Sequence, residues 1–148
     1  MLHDLITNPL LYTPCVAWAV SQLIKMILLL CVEHKGLQAL ATGGGMPSSH
    51  TATVIGFLCA TVLHYGTGGF EFPMALFFSI IVIFDALHVR YESGEQSKVL
   101  NHMIEDSEDA FYRGRRPFRE NLGHTPAEIF VGAVIGLITA LLLYMALH

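Results

Sequence analysis

Charge is scarce in this chain. Only 14% of its 148 residues are Asp, Glu, Lys or Arg, against 53% hydrophobic, and the mean hydropathy is +0.55. A soluble domain usually carries about 25% charged residues, so this exterior is not built for water. The same composition excludes a disordered or low-complexity chain. Cysteine is sparse too. Cys15, Cys31 and Cys59 lie in apolar runs, with no CxxC pair and no Cys/His metal spacing. They read as small buried hydrophobes rather than a disulfide frame or a zinc site. Excess positive charge is missing: a formal net charge of −4 and a pI near 6.0 give no electrostatic case for a nucleic-acid partner. The first apolar run lacks the basic start and small-residue cleavage site of a signal peptide, so it reads as a helix. There is no Walker loop, no HExxH and no nucleophile elbow. What remains is one integral membrane domain spanning residues 1–148.

Apolar runs occupy roughly 11–33, 49–65, 73–90 and 127–147. About 20 residues of helix cross the bilayer core, so the first and last suffice and the middle two are short. Local thinning or snorkelling flanks can accommodate short spans. The expected fold is all-α, a bundle of about four transmembrane helices. Gly56 and Ala60, like Gly132 and Gly136, are spaced i, i+4, which suits close helix packing in lipid. A bundle this small makes a homodimer a reasonable expectation.

The connections are unequal. Residues 66–72 make a short turn, whereas 34–48 and 91–126 are longer. Seven of the eight basic residues (Lys35, Arg90, Lys98, Arg113, Arg115, Arg116 and Arg119) fall in or beside the two longer ones. The positive-inside bias then predicts a bacterial-type inner-membrane protein with cytoplasmic long loops and both termini outside. Within 91–126, Val99, Leu100, Met103 and Ile104 recur at helical spacing between charges, predicting an amphipathic helix at the interface. The acidic cluster Glu105, Asp106, Glu108 and Asp109 and the four arginines that follow fit a solvated loop touching lipid headgroups.

Two segments preface the second and fourth spans. One is Gly43-Gly44-Gly45-Met46-Pro47-Ser48-Ser49-His50; the other is Gly123-His124-Thr125-Pro126-Ala127-Glu128. Each places glycine, proline, a hydroxyl residue and a histidine at the start of an apolar helix. Helix starts present free N–H groups and a positive dipole end, so two on one face could converge on a single anion. Each also has a purely local explanation. Ser48 or Ser49 can serve as an N-cap, and Thr125-Pro126-Ala127-Glu128 fits a capping box with proline at the first helical position.

Polar residues inside the spans add to this. Gln22 and Lys25 lie in the first run, and Asp85, His88 and Arg90 at the end of the third. An intramembrane charge costs a few kcal/mol on insertion scales, so it usually faces a partner or a polar cavity. Lys25 could snorkel and Arg90 could anchor at the interface, His88 reads as locally satisfied, and Asp85 could simply neutralise Lys25 or Arg90. Taken together, two histidines, a lysine, an arginine, an acid and two helix starts suit phosphoryl transfer without a metal. Cations and N–H groups hold the phosphate, one histidine attacks, and the other protonates the leaving oxygen.

Gly44 to His50, Leu122 to Glu128, the Asp85-Ala86…Val89-Arg90 stretch, Gly94…Gln96, Leu100-Asn101 and the Gln22…Lys25 pair together resemble the divergent branch of the type 2 phosphatidic acid phosphatase superfamily. That superfamily is shared with vanadium haloperoxidases. The resemblance implies a membrane phosphatase acting on a lipid phosphate monoester or diphosphate, through a phosphohistidine intermediate and with no cofactor. It implies His124 as nucleophile, Glu128 as the carboxylate that orients it, and His50 as general acid. Lys25, Ser48, Ser49 and Arg90 would bind phosphate, with Asp85, Gln22 and Arg119 in support.

The chain departs from the superfamily pattern at several points. Ser49 stands where glycine precedes the first histidine, and the orienting aspartate is the longer Glu128. Phe118 occupies the usual arginine position six residues before His124, leaving Arg119 or Arg90 to substitute. No Arg-Pro follows Lys25 at the usual distance, and six spans become four. Two alternatives follow: a lipid-phosphate binding or transport protein that keeps the anion pocket without turnover, and a divalent metal site built from Asp85, Glu128 and the histidines.

Overall fold

The computed structural model describes residues 7–31, 45–107, 117–120 and 122–147, all of it helix or connecting chain. Helix α1 (Pro9–Cys31) starts where Asn8 accepts the Leu10 N–H at 2.9 Å, with proline at the first helical position, an arrangement that fills one orphan donor and needs none from Pro9. Helix α2 (Ser49–Tyr65) is capped by Ser48 and ends at Gly66, whose φ of 73° and N–H to the Val62 carbonyl close the last turn. Helix α3 (Glu71–Phe84) passes through a single π-turn (Asp85–Val89) into α4 (Arg90–Glu105). Helix α5 (Pro126–Leu147) completes the bundle.

The sequence reading ends a span at residue 90 and starts a separate interfacial helix in the following loop. Instead, the two are one continuous helical run of 35 residues, Glu71–Glu105. Backbone angles at Phe84, Asp85, Val89 and Arg90 stay right-handed helical throughout, so neither glycine nor proline breaks the helix there. The run's first half is apolar and its second half is not.

Three helical stretches, Pro9–Cys31, Glu71–Glu105 and Pro126–Leu147, are long and apolar enough to cross a membrane. Helix α2, with 17 residues, is only about 25 Å long, yet it packs against α1, α3 and α5, and α1 also meets α5. A short central helix walled by longer ones is the all-α membrane bundle the composition called for.

The distribution of side chains is inverted relative to a soluble protein. The buried apolar residues are mostly alanines (Ala17, Ala52, Ala60, Ala75, Ala86 and Ala140), while Phe77, Ile81, Phe130 and Met145 point outward with 63–75% exposure. In lipid there is no hydrophobic gain from hiding large side chains, so contact between helices selects small ones. A Cβ on Gly136 would lie 2.5 Å from the Ala52 carbonyl oxygen, one on Gly132 2.4 Å from that of Ser48, and one on Gly56 3.0 Å from Ala17 Cβ. Buried hydroxyls bond to helix carbonyls: Thr61 to Phe57, and Ser79 to both Ala75 and, across helices, Val54. The cysteines correct the sequence reading. Cys15 and Cys31 are exposed and Cys59 half-buried, because an apolar residue in this bundle belongs on the lipid side.

Candidate active site

The two helix starts lie side by side at one end of the bundle. The Ser48 N–H donates to the Glu128 carbonyl at 3.1 Å, and the missing Cβ of Gly132 lets α5 press against the Ser48 carbonyl. Ser48 Oγ accepts the Thr51 N–H (3.4 Å) and the Thr51 hydroxyl (3.0 Å) and is fully buried. It acts as the N-cap of α2. Ser49 is also buried, and its carbonyl receives the Thr53 hydroxyl. His50 follows, exposed. Among the described residues no hydrogen bond holds its ring.

At the start of α5 the capping box forms as expected: the Glu128 N–H donates to Thr125 Oγ1 (3.3 Å), and the Thr125 N–H donates to Glu128 Oε2 (3.1 Å). The same Oε2 lies 2.9 Å from Nδ1 of His124. The His124 side chain is 3% exposed and that of Glu128 18%. One carboxylate oxygen therefore closes the helix start and fixes a buried imidazole. With Glu128 ionised, Nδ1 carries the proton, which leaves Nε2 with a free lone pair.

His50 and His124 face each other with ring centroids 6.3 Å apart and planes tilted by 56°. Arg90, Lys25 and Asp85 are all within electrostatic reach of His50, and Glu128 is within reach of Lys25. Lys25 is buried, at 5% exposure, and its Cε lies near Gly45, a glycine with φ of +96° in the loop before α2. Gln22 is half-buried one turn earlier on α1. Ser21, one residue before Gln22, is fully buried, and among the described residues its hydroxyl has no hydrogen-bond partner.

The π-turn shapes the other wall. The Arg90 N–H bonds to the Asp85 carbonyl five residues back, and Arg90 Nε meets Asp85 Oδ2 at 2.7 Å. In a regular α-helix residues five apart are about 140° round the axis, so a widened turn is what lets these two side chains meet. The Ala86 carbonyl within the turn accepts the backbone N–H of His124 at 3.0 Å. His88 stacks on Phe84 with centroids 4.4 Å apart and takes no part in the cluster. Arg119 is exposed on the segment 117–120; of the two arginines considered as substitutes, Arg90 is the one within reach of His50.

The site thus gathers His50, His124, Glu128, Lys25, Arg90 and Asp85. Among the described residues no group of three or more His, Cys, Asp or Glu side chains could hold a metal ion. Lys35, Gly43, Gly44 and most of the acidic and basic clusters between 108 and 116 lie outside the described residues. Ala86, Gly94 and Asn101 enter the sequence reading only as part of the family resemblance, with no role attached to them. The available signal is the spacing of Gly94, Ser97 and Asn101, small or amide residues forming one buried face of an otherwise charged helix.

Residues 6–139 match the family described as "Divergent PAP2 family". The chain is also 32% identical to the "Uncharacterized membrane protein YuiD" of Bacillus subtilis (strain 168), over 95% of this chain and 96% of that protein. No solved structure matches it.

Proposed function

The chain belongs to the divergent PAP2 family, and from that premise we propose that it is an integral membrane phosphatase that hydrolyses a lipid phosphate through a phosphohistidine on His124. The observation that carries this is the buried Glu128–His124 pair, 2.9 Å between Oε2 and Nδ1, with His50 facing it at 6.3 Å. A carboxylate on Nδ1 sets the tautomer and stabilises the charge that develops on the ring.

In the first step Nε2 of His124 attacks phosphorus, an N–P bond forms, and the P–O bond to the lipid breaks. His50, protonated, gives its proton to the leaving oxygen. In the second step His50 takes a proton from water, the water oxygen attacks phosphorus, and the N–P bond breaks to release inorganic phosphate. Lys25, Arg90 and the free N–H groups at the start of α2 stabilise the charge on the phosphoryl oxygens. The exposed Phe84, Val89 and Phe130 lie within two residues of Asp85, Arg90 and Glu128 in sequence and suit a substrate whose tail stays in lipid. No metal is required. The bias of basic residues supports a site on the cytoplasmic face.

The test is phosphate release from phosphatidic acid, lysophosphatidic acid, a polyprenyl monophosphate and a polyprenyl diphosphate by the purified protein. His124→Ala and His50→Ala are run alongside. Release by the unmodified protein and its loss in both variants supports the reading; equal release by all three proteins overturns it. A second reading, binding without turnover, is favoured by the burial of Ser48 and its engagement as a cap, which leaves one fewer hydroxyl for phosphate. Lipid-phosphate binding that is abolished by Lys25→Ala, with no hydrolysis, would select it.

A further inference from the structure

The segment that delivers His124 to the site is fastened at four points along α4 and the π-turn that precedes it. Asn101, buried at 6% exposure, donates through Nδ2 to the Phe118 carbonyl (2.9 Å) and to Glu120 Oε1 (2.7 Å), and its Oδ1 accepts the Phe118 N–H (2.8 Å). At Gly94 an added Cβ would lie 2.4 Å from the Glu120 carbonyl and 3.2 Å from that of Leu122. At Gly123, with φ of +86°, an added Cβ would lie 2.6 Å from the Tyr91 N. The fourth point is the His124 N–H on the Ala86 carbonyl. The anchors descend the helix from 101 to 94, 91 and 86 while the segment ascends from 118 to 124, so the two run antiparallel.

The Leu122 N–H also donates to the Glu120 carbonyl at 2.9 Å, which links the part of the segment held by Asn101 to the residue two before His124. Asparagine suits the upper anchor for a specific reason. Its amide donates to the carbonyl and accepts from the N–H of the same residue, Phe118, as a neighbouring strand would, and a carboxylate of the same size can only accept.

We propose that Asn101 is a positioning residue for His124, acting through the segment 118–124 to hold the imbedded imidazole in line with its target. The proposal rests on the phosphatase reading for its kinetic consequence but not for its structural one. Catalysis is sensitive to displacements of about 1 Å, which lower turnover far more than binding.

The experiment compares the full chain in lipid nanodiscs, unmodified, with Asn101→Asp and with Asn101→Asp/Glu120→Gln. The single variant loses both donated bonds and sets a carboxylate against Glu120. The double variant lets a glutamine amide donate back to the new carboxylate. Two readouts are taken: the ring-nitrogen resonances of His124 in 15N-histidine-labelled protein, assigned with His124→Ala, and kcat and KM on phosphatidic acid. The expected result for Asn101→Asp is displaced His124 resonances and a kcat at least about 10-fold lower with KM within about twofold. The double variant recovers most of both. Unmoved His124 resonances in Asn101→Asp overturn the proposal, even if the thermal midpoint falls, because they reduce Asn101 to a structural tie. If the unmodified protein hydrolyses nothing, the phosphatase reading fails while the resonances still decide the positioning role. Should Asn101→Asp not fold, Asn101→Ser removes the bridge without adding charge and is read the same way.

Discussion

The starts of α2 and α5 are built alike and hold their histidines differently. Both open on a hydroxyl residue that caps the helix, Ser48 at one and Thr125 at the other. At α5 the box is closed by a carboxylate that also grips a buried histidine, so the cap and the imidazole share Glu128 Oε2. At α2 the cap closes on Thr51 alone, and His50 stands exposed beside it. Under the proposed mechanism this difference divides the labour. A nucleophile benefits from one fixed tautomer and orientation, whereas an acid that later acts as a base must exchange protons with solvent. The same local helix-start chemistry produces a rigid ring in one case and an accessible one in the other.

This contrast can be broken from either side. Glu128→Gln keeps a side chain suited to a capping box but loses the charge that selects the His124 tautomer. Its kcat should fall by up to about 10⁴-fold, the size of the effect when a triad carboxylate becomes an amide, with little change in thermal midpoint. A fall in midpoint with unchanged kcat would reduce Glu128 to a cap. His50→Gln should cost about 10²–10⁴-fold in kcat, within the range for a lost general acid and towards its lower half. It should leave stability untouched, and phosphate release from a substrate with a better leaving group should suffer less.

Smaller effects test the scaffold that brings the two starts together. Gly132→Ala places a methyl against the Ser48 carbonyl and should destabilise the bundle by about 1–3 kcal/mol, as overpacking does, measured by thermal or denaturant unfolding in detergent. An alanine tolerated without loss would mean that the two starts are not in close contact. Ser48→Ala should cost about 1 kcal/mol, as for other N-caps. A fall in turnover per folded molecule in that variant would instead place the Ser48 hydroxyl on phosphate.

Features that depend on residues close in sequence were legible before any coordinates. The apolar runs mark the helices, Gly66 and Pro126 mark a stop and a start, and Thr125 to Glu128 spell the capping box that forms. Small residues at 56, 132 and 136 mark helix contacts, and the coordinates supply their partners. What stayed hidden depends on tertiary contact. No glycine or proline within Asp85–Val89 signals the π-turn, whose Ala86 carbonyl is matched to a backbone N–H 38 residues away. Gly94 and Asn101 sit in a charged helix whose buried face is polar, so hydrophobic periodicity does not mark that face: Val99, Leu100 and Met103 are exposed. The cysteines were misplaced because burial rules drawn from water reverse in lipid.

The central claim is that His124 becomes covalently phosphorylated, and labelling tests it directly. The purified protein is mixed with 32P-labelled lipid phosphate, quenched within the first turnovers, and the phosphoprotein is challenged with acid and with base. The account predicts label on the protein that acid removes and base does not, as expected for a phosphoramidate, and its absence from His124→Ala. Hydrolysis of the lipid with no labelled protein at any time, or equal labelling of the His124→Ala variant, would contradict it.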